Sequence, residues 1–204
     1  MTPAPDGRDR LKRAALAAAH RGWHVFPLRP GTAEPAVRDW AGRATTSPWR
    51  IMRCWDAGPF GVGVAVCASR LVVLDLVPAT AGEPPPDPYR LPGVTDGADV
   101  LAVLLEQRNA RLPVGTYSVA GPRGRLQYYF AAGAGSCPAT APEPLGWKVE
   151  VRCTGAYVVG AGSLTPDGSY AVIHDGDPQP APGWLRRPGA PGRENTRSLQ
   201  RSIV

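Results

Sequence analysis

Lysine is almost missing from this chain: only Lys12 and Lys148 contribute to its 23 basic residues, so nearly all the positive charge is arginine. Alanine, glycine and proline are abundant, and the whole bias fits a GC-rich coding sequence. Arginine content alone is therefore no sign of a nucleic-acid partner. Cysteine is scarce as well. Cys54, Cys67, Cys137 and Cys153 include no C-x-x-C pair, so neither a zinc ribbon nor a disulfide framework is indicated, and buried free thiols are expected. His20, His24 and His174 lack the spacing of a metal cluster or a catalytic dyad and receive no role. No window approaches the roughly eighteen apolar residues of a membrane span. The opening MTPAPDGRDRLKR is polar and leads into a short alanine-rich stretch rather than a secretory core with a cleavage site. A soluble cytoplasmic protein without a membrane partner is expected.

The length, 204 residues, suits one globular body whose core needs no staples. Where the charge sits matters more than its total. Residues 1–21 carry +3 and residues 185–204 carry +4 of a net +6, which leaves residues 22–184 at −1. The basic surplus belongs to the two ends.

Local patterns divide the chain into elements. Leu11, Ala14, Ala15, Ala18 and Ala19 recur at helical spacing from Asp9 to Arg21, and Gly22 closes that helix. WHVFPL reads as a short strand stopped by Pro30-Gly31. A second helix is expected from Ser47 to Asp56, with Ser47 as N-cap, Pro48 at the first helical position, and Ile51, Met52 and Trp55 as its apolar stripe. GVGVAVC (61–67) and RLVVLDLV (70–77) are β-rich runs only two residues apart, which suggests a hairpin. Residues 78–92 hold Pro84, Pro85, Pro86 and Pro88 and form an exposed insertion. ADVLAVLLEQR (98–108) is an amphipathic helix, and GTYSVA, RLQYYFAA, KVEVR, AYVVG and SYAVIH supply further strands. The order predicts an α+β protein with a mixed or antiparallel sheet. Its domain covers residues 1–175, and residues 176–204 form a basic tail rich in proline, glycine and arginine (Arg186, Arg187, Arg193, Arg197, Arg201), weakly ordered apart from a short helix near its end.

Five segments in order, GWHVFPLRPG, ATTSPWRIMRCW, GVGVAVCASRLVVLDL, GRLQYYF and VEVRCTGAYVVGAGSLTPDGSY, cover most of residues 10–175. Through them the chain resembles the bifunctional DNA primase/polymerase domain of the archaeo-eukaryotic primase superfamily. The resemblance implies an RRM-like catalytic module flanked by helices. It also implies an Asp-x-Asp pair closing a strand, a His before an aromatic-rich strand and a later Asp. In that family the acids hold Mg²⁺ or Mn²⁺ and the His contacts the triphosphate of the incoming nucleotide. Residues two apart on a strand project to one side, which is why such a pair can share a metal site.

Against this pattern the chain keeps Asp75, carries Val77 at the second acid, Gln127 at the His and Glu150 at the later acid. An isopropyl group offers no ligand to a hard cation, and an amide can never become positive. Asp75 and Glu150 are the residual catalytic and metal candidates. Lys148, Glu150 and Arg152 fall on one strand face by period two, so Lys148 or Arg152 is expected to neutralise the two acids and replace a metal-bridged site by a salt-bridged one. The family's Gly-Lys-x-Pro run is Thr32-Ala33-Glu34-Pro35, without a cation. Its Gly-rich turn is Ala120-Gly121-Pro122-Arg123-Gly124, where proline removes one N–H while Arg123 and Arg125 add charge. Candidate nucleotide or phosphate contacts are thus Arg123, Arg125, Gln127, Lys148 and Arg152. Of Tyr128, Tyr129 and Phe130, at least two are expected in the core.

Three functions compete. The first is a catalytically impaired primase/polymerase-like domain that binds DNA, nucleotide or a replication partner. The second is an active nucleotidyltransferase using Asp75, Glu150 and a further acid such as Asp96 or Asp99. The third is an interaction or regulatory module.

Overall fold

The computed structural model describes residues 7–133 and 144–186. Cys137 and the tail arginines from Arg187 onward lie outside the described residues. Helix α1 (Gly7–His20) buries Leu11, Ala15 and Ala19, and strand β1 (Val25–Leu28) follows it. A short α2 (Trp40–Arg43) and α3 (Pro48–Asp56) precede β2 (Gly61–Ala65) and β3 (Leu71–Leu76). Helix α4 (Gly97–Gln107) comes after the proline-rich insertion. Then come β4 (Ser118–Ala120), β5 (Leu126–Ala131), β6 (Val149–Arg152) and β7 (Tyr157–Val159). The pair β8 (Leu164–Thr165) and β9 (Gly168–Ser169), then β10 (Ala171–His174), β11 (Gln179–Pro180) and α5 (Gly183–Arg186), complete the described chain. The mixture of helices with largely antiparallel sheets is the α+β class that the element order predicts.

Two sheets carry the molecule. A three-stranded sheet runs β1-β2-β7, and a larger one runs β10-β4-β5-β3-β6, with β11 parallel to the far end of β5. The first is covered by α1 and α3. Gly63 lies beneath Phe26, where a Cβ would stand 2.4 Å from the ring, so this strand position admits no side chain.

The central strand β3 is buried at every position. Val72, Leu74 and Leu76 pack with Val100, Leu101 and Leu104 of α4 in one apolar cluster. Val73 faces the other way, into the cluster that holds Trp23, Phe26, Tyr129 and the small sheet. Asp75 shares that second face.

The structure corrects three expectations. The runs at 61–67 and 70–77 are not a hairpin: β2 pairs with β1 and β7, whereas β3 pairs with β5 and β6. Leu71 N–H meets Val66 C=O at 3.0 Å, but there the ladder stops. Ser69 Oγ donates to the Ala65 carbonyl at 2.6 Å and accepts from His24 N–H at 2.9 Å, turning the corner so that the strands enter different sheets. Met52 does not join the apolar stripe of α3. Ile51 and Trp55, four apart, are buried, while Met52, turned by a third of a revolution, is 42% exposed. Finally, ordered packing continues past residue 175. β11 adds to β5, and Ala181 and Leu185 are buried in the α4 cluster because the chain returns over the open end of the sheet.

Candidate functional site

The register sets three of the expected residues in one row. Asp75 on β3 lies opposite Gln127 on β5 and opposite Glu150 on β6, so all three side chains leave the same face of adjacent strands. Asp75 is 2% exposed. Arg125 precedes β5 by one residue and has the same parity as Gln127. Its Nη1 donates to Asp75 Oδ2 at 2.8 Å. Arg152 bonds Glu150 Oε2 through Nη2 and holds its Nε 3.7 Å from Asp75 Oδ2. Asp75 Oδ1 and Arg152 Nε are buried without a hydrogen-bond partner.

Two opposed effects act on the Asp75 carboxyl. Burial raises its pKa, with the neighbouring Glu150 adding to the rise, Arg125 and Arg152 pull it down, and the balance leaves it raised to about 6. Gln127, 1% exposed, accepts a hydrogen bond from Tyr129 OH at 3.1 Å, and that phenol ring stacks on Trp23 with centroids 5.3 Å apart. The Gln127 amide is thereby tied into the core. Tyr129 and Phe130 are fully buried, as expected of that run.

Arg123 and Lys148 are not in the row. Arg123 sits at the tip of the β4–β5 turn with a left-handed backbone (φ 58°) and pairs with Asp167 in the β8–β9 hairpin. Lys148 also takes a left-handed conformation (φ 60°), which breaks the period-two pattern before β6 begins. Its ammonium reaches Glu83 of the proline-rich insertion at 2.8 Å and pulls that carboxyl down to about 2. Arg152, together with Arg125, neutralises the acids, and Lys148 does not. Asp96 and Asp99 stand apart too. Asp96 caps α4 by accepting from Ala98 and Asp99 N–H, and Asp99 accepts from Thr95, on the side of the sheet opposite Asp75.

A cleft of ≈ 920 Å³ opens over the row, lined among others by Asp75, Gln127, Arg123, Arg125, Arg152 and Tyr157. A larger one, ≈ 1560 Å³, lies between α1 and β10 and includes none of the row. Val77 follows β3 and hydrogen-bonds Lys148 C=O through its N–H at 2.8 Å, still in ladder position. The β3–β5 register ends one residue before it, at Leu76↔Leu126, and Arg125, the residue that precedes β5, reaches Asp75 on the same side of the sheet. A guanidinium thus stands beside the place where the family's second carboxylate would project.

The residues present do not fit a divalent metal pair. Such ions take about six oxygen ligands, several of them anionic. Here Asp75 and Glu150 are the acids of the row and two guanidiniums already occupy them. Among the described residues no group of three His, Cys, Asp or Glu is arranged to hold a metal.

Sequence reasoning missed Arg125 as the partner of Asp75. The signal was present, since Arg125 and Gln127 share parity on one strand, but the pairing of β5 with β3 was needed to use it. No helix among the described residues is long and apolar enough to cross a membrane. A search of curated proteins finds no match. The family model for the bifunctional DNA primase/polymerase N-terminal domain matches residues 15–184, from the first helix through the returning segment that closes the core. A match over that span, together with an α+β body that sets Asp75, Gln127 and Glu150 in one row, means that the chain belongs to the bifunctional DNA primase/polymerase N-terminal domain family.

Proposed function

We propose that this chain is a primase/polymerase-like domain that binds nucleic acid or nucleotide in replication but has lost efficient polymerisation. The observation that carries the reading is the 2.8 Å ion pair between Arg125 and Asp75. In the active members of the family an acid at this position works through divalent cations; here an internal guanidinium takes the same electrostatic role. Val77 cannot ligate, and Gln127 supplies no positive charge to a triphosphate. Each loss removes charge stabilisation from the transition state of phosphoryl transfer, on the order of several kcal/mol.

The test is a primer-extension and de novo priming assay in Mn²⁺. Wild type is expected to give no incorporation above background. Incorporation that disappears in Asp75→Ala would overturn the reading and establish an active nucleotidyltransferase. The restoring variant Val77→Asp/Gln127→His, with Arg125→Ala added to free Asp75, is expected to gain measurable extension.

A further inference from the structure

The arginines of the cleft are engaged by acids: Arg123 by Asp167, Arg125 by Asp75, Arg152 by Glu150. Unpaired positive charge lies elsewhere. None of the ion pairs among the described residues engages Arg43 at the end of α2 or Arg50 and Arg53 on α3. All three are exposed. They form a group, because Arg50 Nη2 donates to the Arg43 carbonyl at 3.4 Å and Arg53 places its guanidinium 5.4 Å from the centroid of the Trp49 ring.

Trp49 is the second observation. Of six tryptophans it is the one in the exposed class, at 62%, and Met52 beside it is 42% exposed. The helix does not need either residue for its packing, which Ile51 and Trp55 perform from the opposite side. Positions 49, 52 and 53 fall on one outward stripe by the i, i+3, i+4 rule. The acid that continues this stripe, Asp56, is held by Lys12 at 2.7 Å. The surface is therefore aromatic and cationic with its nearby carboxylate neutralised. α1, packed against α3, adds exposed Arg8 and Arg13.

A flat ring with a guanidinium over it, surrounded by unpaired arginines, matches one chemistry: an unpaired base stacking on the ring while flanking phosphates meet the cations. Duplex DNA presents phosphates but no free base face to a lone surface ring. We infer that the outward stripe of α3, Trp49, Met52 and Arg53 with Arg50 and Arg43, is a docking surface for single-stranded nucleic acid, separate from the cleft over Asp75. The inference rests on the proposed nucleic-acid-binding function and names where the strand lies.

The experiment is fluorescence anisotropy of a labelled oligo-dT strand titrated with the full chain across a salt series, repeated with a duplex of the same length. Trp49→Ala is expected to weaken single-strand binding about tenfold with little effect on its salt slope, as the loss of one stacking contact does. Trp49→Phe should keep most of the affinity. Arg50→Ala/Arg53→Ala should reduce the salt slope by about 2 on the log–log plot. All these residues are exposed, and circular dichroism melts will show unchanged folding. Wild-type binding that survives all three variants within twofold would overturn this docking surface and leave the proposed function standing. Absence of any wild-type binding to strand or duplex at low salt would overturn this docking surface and the nucleic-acid arm of the proposed function, leaving its nucleotide arm to be decided by a nucleotide titration. Equal single-strand and duplex affinity, both unaffected by Trp49→Ala, would assign the binding to backbone charge alone and overturn the stacking role. Self-association of the wild type abolished by Trp49→Ala, without strand binding, would give this face to a second copy of the chain.

Discussion

Leu74 and Asp75 are neighbours on β3, and both are essentially out of contact with solvent. One face of the strand meets α4 through hydrocarbon alone, while the other begins as hydrocarbon at Val73 and ends as charge at Asp75. For Leu74 burial itself is the stabilising event. For Asp75 burial is a cost that Arg125 and Arg152 only partly offset, which is why the carboxyl rises to about 6 despite two cations beside it. Adjacent positions of one strand therefore stabilise the fold or cost it stability according to which face they supply, and the costly face is the one that opens on the cleft.

Three experiments separate the faces. Leu74→Ala should cost about 2–5 kcal/mol in urea unfolding, since a fully buried side chain is removed against a rigid helix. That cost should be the same at every pH. The Asp75 face should behave differently. A folded carboxyl raised from 3.8 to about 6 binds protons more tightly than the unfolded chain does. Its contribution to stability is present below the unfolded value and is lost as pH rises through the folded one, by about 3 kcal/mol in total. Urea melts between pH 4 and pH 7 should thus show wild type weakening with rising pH over that window and Asp75→Asn lacking this slope. A wild type that strengthens over the window would mean that the guanidiniums outweigh burial.

The third and smallest effect is Arg125→Ala. Removing the partner of a buried charge is expensive, but Arg125 is itself a quarter exposed and Arg152 remains nearby, so a loss of about 2 kcal/mol is expected at pH 7.5. It should largely vanish at pH 4, where Asp75 is neutral, and in the Asp75→Asn background. Lys148→Ala serves as the control and should leave the pH slope of Asp75 unchanged, because Lys148 binds Glu83 instead.

Much of the molecule was legible in the sequence. The helices at 9–21, 47–56 and 98–108 and each main strand appear close to where periodicity and capping put them, and Asp75, Gln127 and Glu150 align as the family resemblance implied. What failed depended on information that is not local. KVEVR looks like five residues of strand, but the Gly146–Val149 turn forces Lys148 into a left-handed conformation and sends its side chain to the insertion. A proline-rich terminus suggests a loose tail, and only the open end of β5 explains why residues 179–185 settle on the core. The Asp75–Arg125 pair joins side chains fifty positions apart, and no periodicity reaches that far.

The corner at Ser69 has a consequence for how the chain reaches its native state. The two β-rich runs that follow one another most closely are joined at the turn by Arg70 N–H to Cys67 C=O and Leu71 N–H to Val66 C=O but share no strand ladder, so the hairpin that proximity would form first is not part of the final structure. β2 must wait for β7 (Val64↔Val158), and β3 must wait for β5 and β6 (Leu74↔Tyr128, Leu74↔Val151). β2 carries no polar side chain and β3 only Asp75, and the two strands have to remain apart until distant segments arrive. Loop closure, more than local propensity, is then expected to set the pace of folding, and stopped-flow refolding should be slower than that of a helical domain of the same length.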